Sequence, residues 1–281
     1  MAEKTKKGKR VLLVLCAVIV FLLSIVGVLQ IGVISAQNTW TRWKPDYEKR
    51  DITPLLEKSV RTDEDYRVLY EQTGLTKIGI DDLLRVNPQR ILDIQTAFFL
   101  DYETVRTHFG PFTYMEEING YTYLPLLKDG DILVSASTYT SFFRYGHSAL
   151  VVEGATGTIL ESVSAGYNSA LGYAETFSSR VNFLVLRPKA DERVKAQAVE
   201  YAKTELLGKP YLLTTGIFSP KYYENGVGGT HCAHLVWQAY RHFGIDLDAT
   251  GGAVVTPQDL ARSPSVELVQ AFGFDLDTLW S

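Results

Sequence analysis

Cysteine is scarce in this chain: its 281 residues include two, Cys16 and Cys232. Cys16 lies inside an N-terminal apolar run, so the remainder carries one thiol and no internal disulfide. Histidine is also sparse, at five. His231, Cys232 and His234 are candidate metal ligands, but a zinc site takes three or four, and the usual second cluster is missing. No Gly-x-Ser-x-Gly elbow supports a serine nucleophile, and no glycine-rich nucleotide loop is present. Basic charge is short beyond the N-terminus. Of 28 basic and 32 acidic residues, five basic and one acidic fall in the first ten, which leaves a formal −8 on the rest. That balance argues against nucleic acid as a partner.

The long apolar run follows Lys4, Lys6, Lys7, Lys9 and Arg10. Val11 to Leu29 is interrupted only by Ser24 and Gly27, and the apolar character continues past Gln30 to Ala36. At 1.5 Å per residue the first part alone spans about 28 Å, close to a bilayer core. A cleavable signal has an apolar core of about 7–15 residues. The expectation is therefore a transmembrane signal anchor over 11–36, with a basic tail at 1–10 inside and the remainder outside the cell membrane. Ser35-Ala36 leaves cleavage as the alternative. Leu15 before Cys16 is a poor lipobox fit, so Cys16 reads as one more apolar membrane residue. Residues 37–54, with Trp40, Trp43 and Tyr47, read as a juxtamembrane stalk; the alternative is that these rings pack on the domain.

Residues 55–126 read as a helical extension without repeat or low complexity. Thr62-Asp63-Glu64-Asp65 opens a helix that stops at Gly74, Asp81 to Arg85 makes a short turn of helix, and an apolar stripe predicts a helix over Gln89 to His108. From 127 to 281 the character changes. Strand signals come at 131–136, 147–153, 158–163 and 182–188, then a helix over 190–207 ended by Gly208-Lys209-Pro210. A last helix runs from His231 to about Phe243. The fold class is α+β, with a small antiparallel, barrel-like sheet and helices on one side.

Within that frame one constellation carries chemistry. Thr230 is a good N-cap, which puts Cys232 in the first turn of the last helix. Unpaired N–H groups and the helix dipole there favour a thiolate, the form that attacks a carbonyl carbon. The alternative is an inert buried cysteine. A glycine-rich approach, Asn225, Gly226, Gly228 and Gly229, allows close backbone contact with a substrate. His147 opens the apolar strand His147 to Val152 and is the candidate base; its bland reading is a satisfied strand histidine. Glu161 stands inside the apolar strand that follows the Gly154-Ala155-Thr156-Gly157 hairpin, where a carboxylate needs a partner. It is favoured over Glu153, at a strand end, to orient His147. His234 and His242 are placed on the helix surface or at its C-terminal end.

The ordered set GDILV (130–134), GHSALVV (146–152), ILES (159–162), GKPY (208–211), THCAHLVWQAY (230–240) and TPQDLARSP (256–264) resembles the YiiX/YaeF-type permuted papain-like enzymes, relatives of the NlpC-type cell-wall peptidases. The resemblance covers about 127–269. It implies a circularly permuted papain-like fold, with Cys232 as nucleophile, His147 as base and Glu161 as the orienting group. It also implies supporting roles for Tyr211, His231 and Tyr145. NlpC-type enzymes often carry an aspartate after the tyrosine of the GKPY-like motif, where Leu212 stands here. The implied activity is hydrolysis of a peptide or small amide bond of the cell wall, with no cofactor or metal. The same fold also serves lipid acyl hydrolases and acyltransferases, and non-catalytic binding domains.

Overall fold

A computed structural model describes residues 2–39 and 42–280, with side chains from Gly8 onward. Trp40 lies outside the described residues. The N-terminal run forms one helix, α1 (Ala2–Thr39). Its part from Gly8 to Thr39 is long and apolar enough to cross a membrane, by length and composition. Val11 to Val28 project apolar side chains into open space. The chain after α1 is not a free stalk. The Trp43 N–H donates to Gly273 O at 3.1 Å, its ring packs on Phe98, and Tyr47 packs edge-on against Phe99.

Four helices follow: α2 (Thr53–Leu56), α3 (Asp63–Thr73), α4 (Lys77–Val86) and α5 (Gln89–Phe98). The α3 boundaries follow from local chemistry. Thr62 and Asp65 form a reciprocal capping box, and Gly74 closes the helix at φ 70°. Leu69, Ile80, Ile91 and Ile94 pack these helices together. The expected helix to His108 is corrected. It stops at Phe98, and β-branched Thr104, Val105 and Thr107 form strand β1 (Thr104–Gly110), which turns at Pro111 into β2 (Thr113–Ile118). The extension therefore ends in a hairpin rather than a third long helix.

The main sheet comprises β3 (Ile132–Ser135), β5 (His147–Glu153), β6 (Thr158–Glu161), β7 (Ala170–Tyr173), β8 (Phe183–Pro188) and β9 (Val266–Phe272). The short β4 (Thr138–Thr140) pairs with β2 instead, giving a second sheet in the order β1-β2-β4. The six-stranded sheet is antiparallel, in the order β7-β6-β5-β3-β8-β9. It is open, which corrects the barrel-like expectation. Its edges are covered rather than joined: Asn168 beside β7 bridges to Pro210, and Leu75 bridges to Gln270 on β9.

Helices also do not keep to one side. One face carries α7 (Glu192–Tyr201, continued by a π-helical turn over Ala202–Leu206), α8 (Cys232–Arg241) and α9 (Pro257–Arg262), packed over Ile132, Val134, Leu150 and Leu186. The other carries Phe98, Phe183, Phe272 and Phe177, the last from the short α6 (Glu175–Ser178). The α2–α5 unit is tied to the sheet by a buried charge cluster. Arg187 on β8 reaches Asp82 on α4 at 2.7 Å and Asp131 at 2.8 Å. Each charge there has an opposite partner within hydrogen-bond range, the condition under which buried ions persist.

Candidate active site

Cys232 is the first residue of α8, and His231, rather than Thr230, is the N-cap. His231 Nδ1 accepts from the His234 N–H at 3.4 Å, and the Leu235 N–H closes the first turn on His231 O. The N–H groups of Cys232 and Ala233 therefore head the helix without an intrahelical acceptor. Thr230 is used differently: its Oγ1 pairs with His234 Nδ1 at 2.8 Å, while its backbone pairs with Pro210 and Leu212. That pairing lays the Gly208–Tyr211 segment beside the nucleophile loop. A Cβ on Gly229 would fall 2.8 Å from the Leu212 Cβ, so this close lane requires glycine.

His147 begins β5 and is buried. The preceding Gly146 has φ +73°, and a Cβ there would sit 2.3 Å from Ser135 O. Glycine is required by this turn onto the neighbouring strand. The register Ala149↔Glu161 places Glu161 diagonally from His147 on the same face of the sheet. His147 Nε2 meets Glu161 Oε2 at 2.6 Å, and the imidazole lies close enough to Cys232 for each to shift the other's titration. With Nε2 engaged by Glu161, Nδ1 is the ring nitrogen left for another partner. Glu153 points away, exposed, and accepts from Thr156 Oγ1.

The electrostatics of the three groups agree. Burial by itself raises the Cys232 pKa, but hydrogen bonding and positive charge from His147 and His231 outweigh it and hold the thiol well below its ordinary value. Burial by itself lowers the His147 pKa, yet its bonds to Cys232 and Glu161 raise it overall. Glu161 is lowered, burial being outweighed by the hydrogen bond and charge of His147. Around neutral pH these directions describe thiolate, imidazolium and carboxylate in a line.

Tyr211 and Tyr145 lie near enough to sense the charge of Cys232. Both phenols are pushed up, first by burial and then by the negative charge that Cys232 can carry. His231 is buried beside sulfur, with its Nδ1 accepting from the His234 N–H. His234 is corrected from the surface to the interior. Nδ1 meets Thr230 and Nε2 meets Lys221 O at 2.7 Å, and burial followed by the His231 charge drives its pKa down to about 3. With both nitrogens engaged, His234 is a structural histidine. His242 caps the C-terminal end of α8, stacked on Tyr201. Among the described residues no cluster of three or more His, Cys, Asp or Glu is arranged for a metal ion.

One residue was missed. Arg180 is buried, donates to Ser137 Oγ at 3.2 Å and lies over the Phe177 ring, on which His147 also stacks. It senses the charges of Glu161 and Cys232, while burial lowers its own pKa. In sequence it is an arginine before an apolar strand, a common surface position, so no signal marked it. A surface cleft of about 600 Å³ lined by Asp82, Arg85, Lys128 and Arg187 lies around the buried charge cluster and does not border Cys232.

No family model matches the chain, and no solved structure matches it. The chain is 27% identical over 146 residues to the uncharacterized protein YycO of Bacillus subtilis (strain 168). The match takes in 52% of this chain and 56% of that protein, so the chain spans about half the length of the curated relative it matches.

Proposed function

We propose that this chain is a cysteine hydrolase of an amide or peptide bond, held at a membrane by α1 with its folded domain on the outer side. The observation that carries the reading is the Cys232–His147–Glu161 line at the head of a buried helix. The basic tail before α1 supports the orientation. The resemblance to permuted papain-like enzymes supports a cell-wall peptide as substrate.

The chemistry follows from the positions. The Cys232 thiolate attacks the carbonyl carbon, and the carbonyl electron pair moves onto oxygen. The N–H groups of Cys232 and Ala233 head the helix where that oxyanion forms. The His147 imidazolium, held by Glu161, gives its proton to the departing amine as the C–N bond breaks. Neutral His147 then takes a proton from water, the hydroxide attacks the thioester, and the thiolate leaves. Arg180 acts on this line through the charges of Glu161 and Cys232.

The test is iodoacetamide alkylation of Cys232 across pH, read by intact mass in a Cys16→Ala chain. The expected rate has its half-rise well below the free-thiol pKa of about 8.5. A rise only near that value, or no labelling of the folded chain, refutes the reading. Incubation with wall peptides should leave an acyl adduct on Cys232, lost in Cys232→Ser.

A further inference from the structure

The end of α1 does not leave the domain free; it is built into the loop that leads to His147. Val33 and Ala36 are buried against Tyr139, with Phe112 and Tyr114 packed around them. Ser141 Oγ donates to Leu29 O at 2.8 Å, and Arg144 Nη2 donates to Ala36 O at 3.0 Å. The contact is tight at Gly32, where a Cβ would lie 2.1 Å from Ser141 Oγ and 2.5 Å from the Phe142 ring. Ser141 itself holds φ 53°, a left-handed conformation that a serine keeps only when its surroundings demand it.

This contact sets a height. If the hydrocarbon begins at Val11, Gly32 stands roughly 32 Å further along the helix, at the far boundary of a core about 30 Å thick. Phe142 packs at that level and is 67% exposed; its neighbour Phe143 is 63% exposed. Phe109, at the tip of the β1–β2 hairpin whose Phe112 packs near Val33 and Ala36, is also exposed. Three exposed phenylalanines thus stand at the level where α1 still exposes Ile31 and Ile34 on its other face. Phe143 stacks on Tyr145, which is near enough to sense the Cys232 charge, and Leu213, two residues past Tyr211, is exposed. The mouth of the site is apolar where it meets the span.

We infer that Phe109, Phe142 and Phe143 form a lip that dips into the membrane interface, so that Cys232 acts on an amide presented at the lipid surface, one carried by a lipid, rather than on one free in bulk water. The substrate clause rests on the hydrolase reading above; the lip does not. The occupant is lipid rather than a second copy because the patch is continuous with the apolar flank of α1 and fixed at its boundary by Gly32, Ser141 and Arg144. Burying phenyl rings in an apolar phase is favourable, and a rigid loop inserts without having to be ordered first.

Two measurements on the full chain, reconstituted in phosphatidylcholine–phosphatidylglycerol vesicles, test this. In the first, a nitroxide is placed at Phe143→Cys or, for comparison, at the exposed Val60→Cys, in a Cys16→Ala, Cys232→Ser background. Power saturation then compares collision with oxygen and with an aqueous nickel chelate. The label at 143 should collide with oxygen and be shielded from nickel, while that at 60 should meet nickel freely. Equal nickel access overturns the lip, and shielding from both reagents points to a second copy instead. In the second, Cys232 in a Cys16→Ala chain is alkylated by N-dodecyl iodoacetamide loaded in the vesicles or by iodoacetamide in water; either way sulfur displaces iodide. Phe142→Ser should slow the vesicle-borne reaction about tenfold and leave the aqueous one unchanged. Equal slowing of both, or of neither, overturns delivery from the lipid surface. An ordinary thiol profile in water would remove the hydrolase reading while the depth measurement still reported on the lip.

Discussion

Glu161→Gln isolates the carboxylate from every other part of the site. The Glu161 side chain is 14% exposed and that of His147 is 7%, so solvent screens their 2.6 Å contact little. The substitution keeps shape and one hydrogen bond but removes the negative charge. A charge-assisted bond contributes about 1.5–3 kcal/mol against about 1 for a neutral one. The difference falls on one equilibrium, whether the shared proton sits on His147 nitrogen or on Cys232 sulfur. At 1.4 kcal/mol per factor of ten, the thiolate fraction near neutral pH should fall about threefold to thirtyfold. The direction in pH follows from the sign of each shift. His147 is raised by its partners, so losing Glu161 lowers it, and the alkaline limb of activity should move to lower pH. The acid limb, set mainly by the thiol, should move to higher pH, because the hydrogen bond and charge of His147, which Glu161 supports, lead the groups that depress Cys232. The assay is the iodoacetamide rate on Cys232 between pH 5 and 9, with the amide-hydrolysis profile beside it. An unchanged rate at neutral pH would show that the carboxylate does not hold the imidazolium, and the line of three groups would reduce to a pair.

Three other outcomes are expected. Gly74→Ala should lower stability to urea by about 1–3 kcal/mol, because φ 70° is strained for any side chain and the added Cβ would lie 2.0 Å from Ala271 O; an unchanged midpoint would refute that account. Arg187→Met should cost about 3–5 kcal/mol in the same melt, since it leaves Asp82 and Asp131 buried together without their shared cation, whereas a loss under about 1 kcal/mol would mean that Lys128 and water suffice. In cell fractionation the full-length chain should stay with the membrane pellet through an alkaline wash, and a soluble form beginning near Gln37 would show that α1 is cleaved instead.

Periodicity and local chemistry alone determined much of this protein. A nineteen-residue run behind a basic tail, broken only by Ser24 and Gly27, can satisfy its backbone in lipid only as a helix. Thr62, Asp65 and Gly74 carry both ends of α3 in their own side chains and backbone freedom. The strands at 147 and 158 and the glycine hairpin between them were readable because continuous β-prone apolar runs and turn chemistry act within ten residues, and with them came the pairing of His147 with Glu161. Tertiary structure decided what depends on distant partners. The helix expected through His108 gave way at Phe98 because β1 gains a ladder with β2, and β2 in turn with β4, which no window around 104 contains. The sheet stayed open because Leu75 and Pro210, far off in sequence, cover its edges. His234 went inside because Thr230 and Lys221 O satisfy both its nitrogens, the one arrangement in which a neutral imidazole is buried cheaply. Arg180 and the seating of α1 against Ser141 and Phe142 left no trace in local pattern. A charge or an apolar ring becomes part of a site through what the fold sets opposite it.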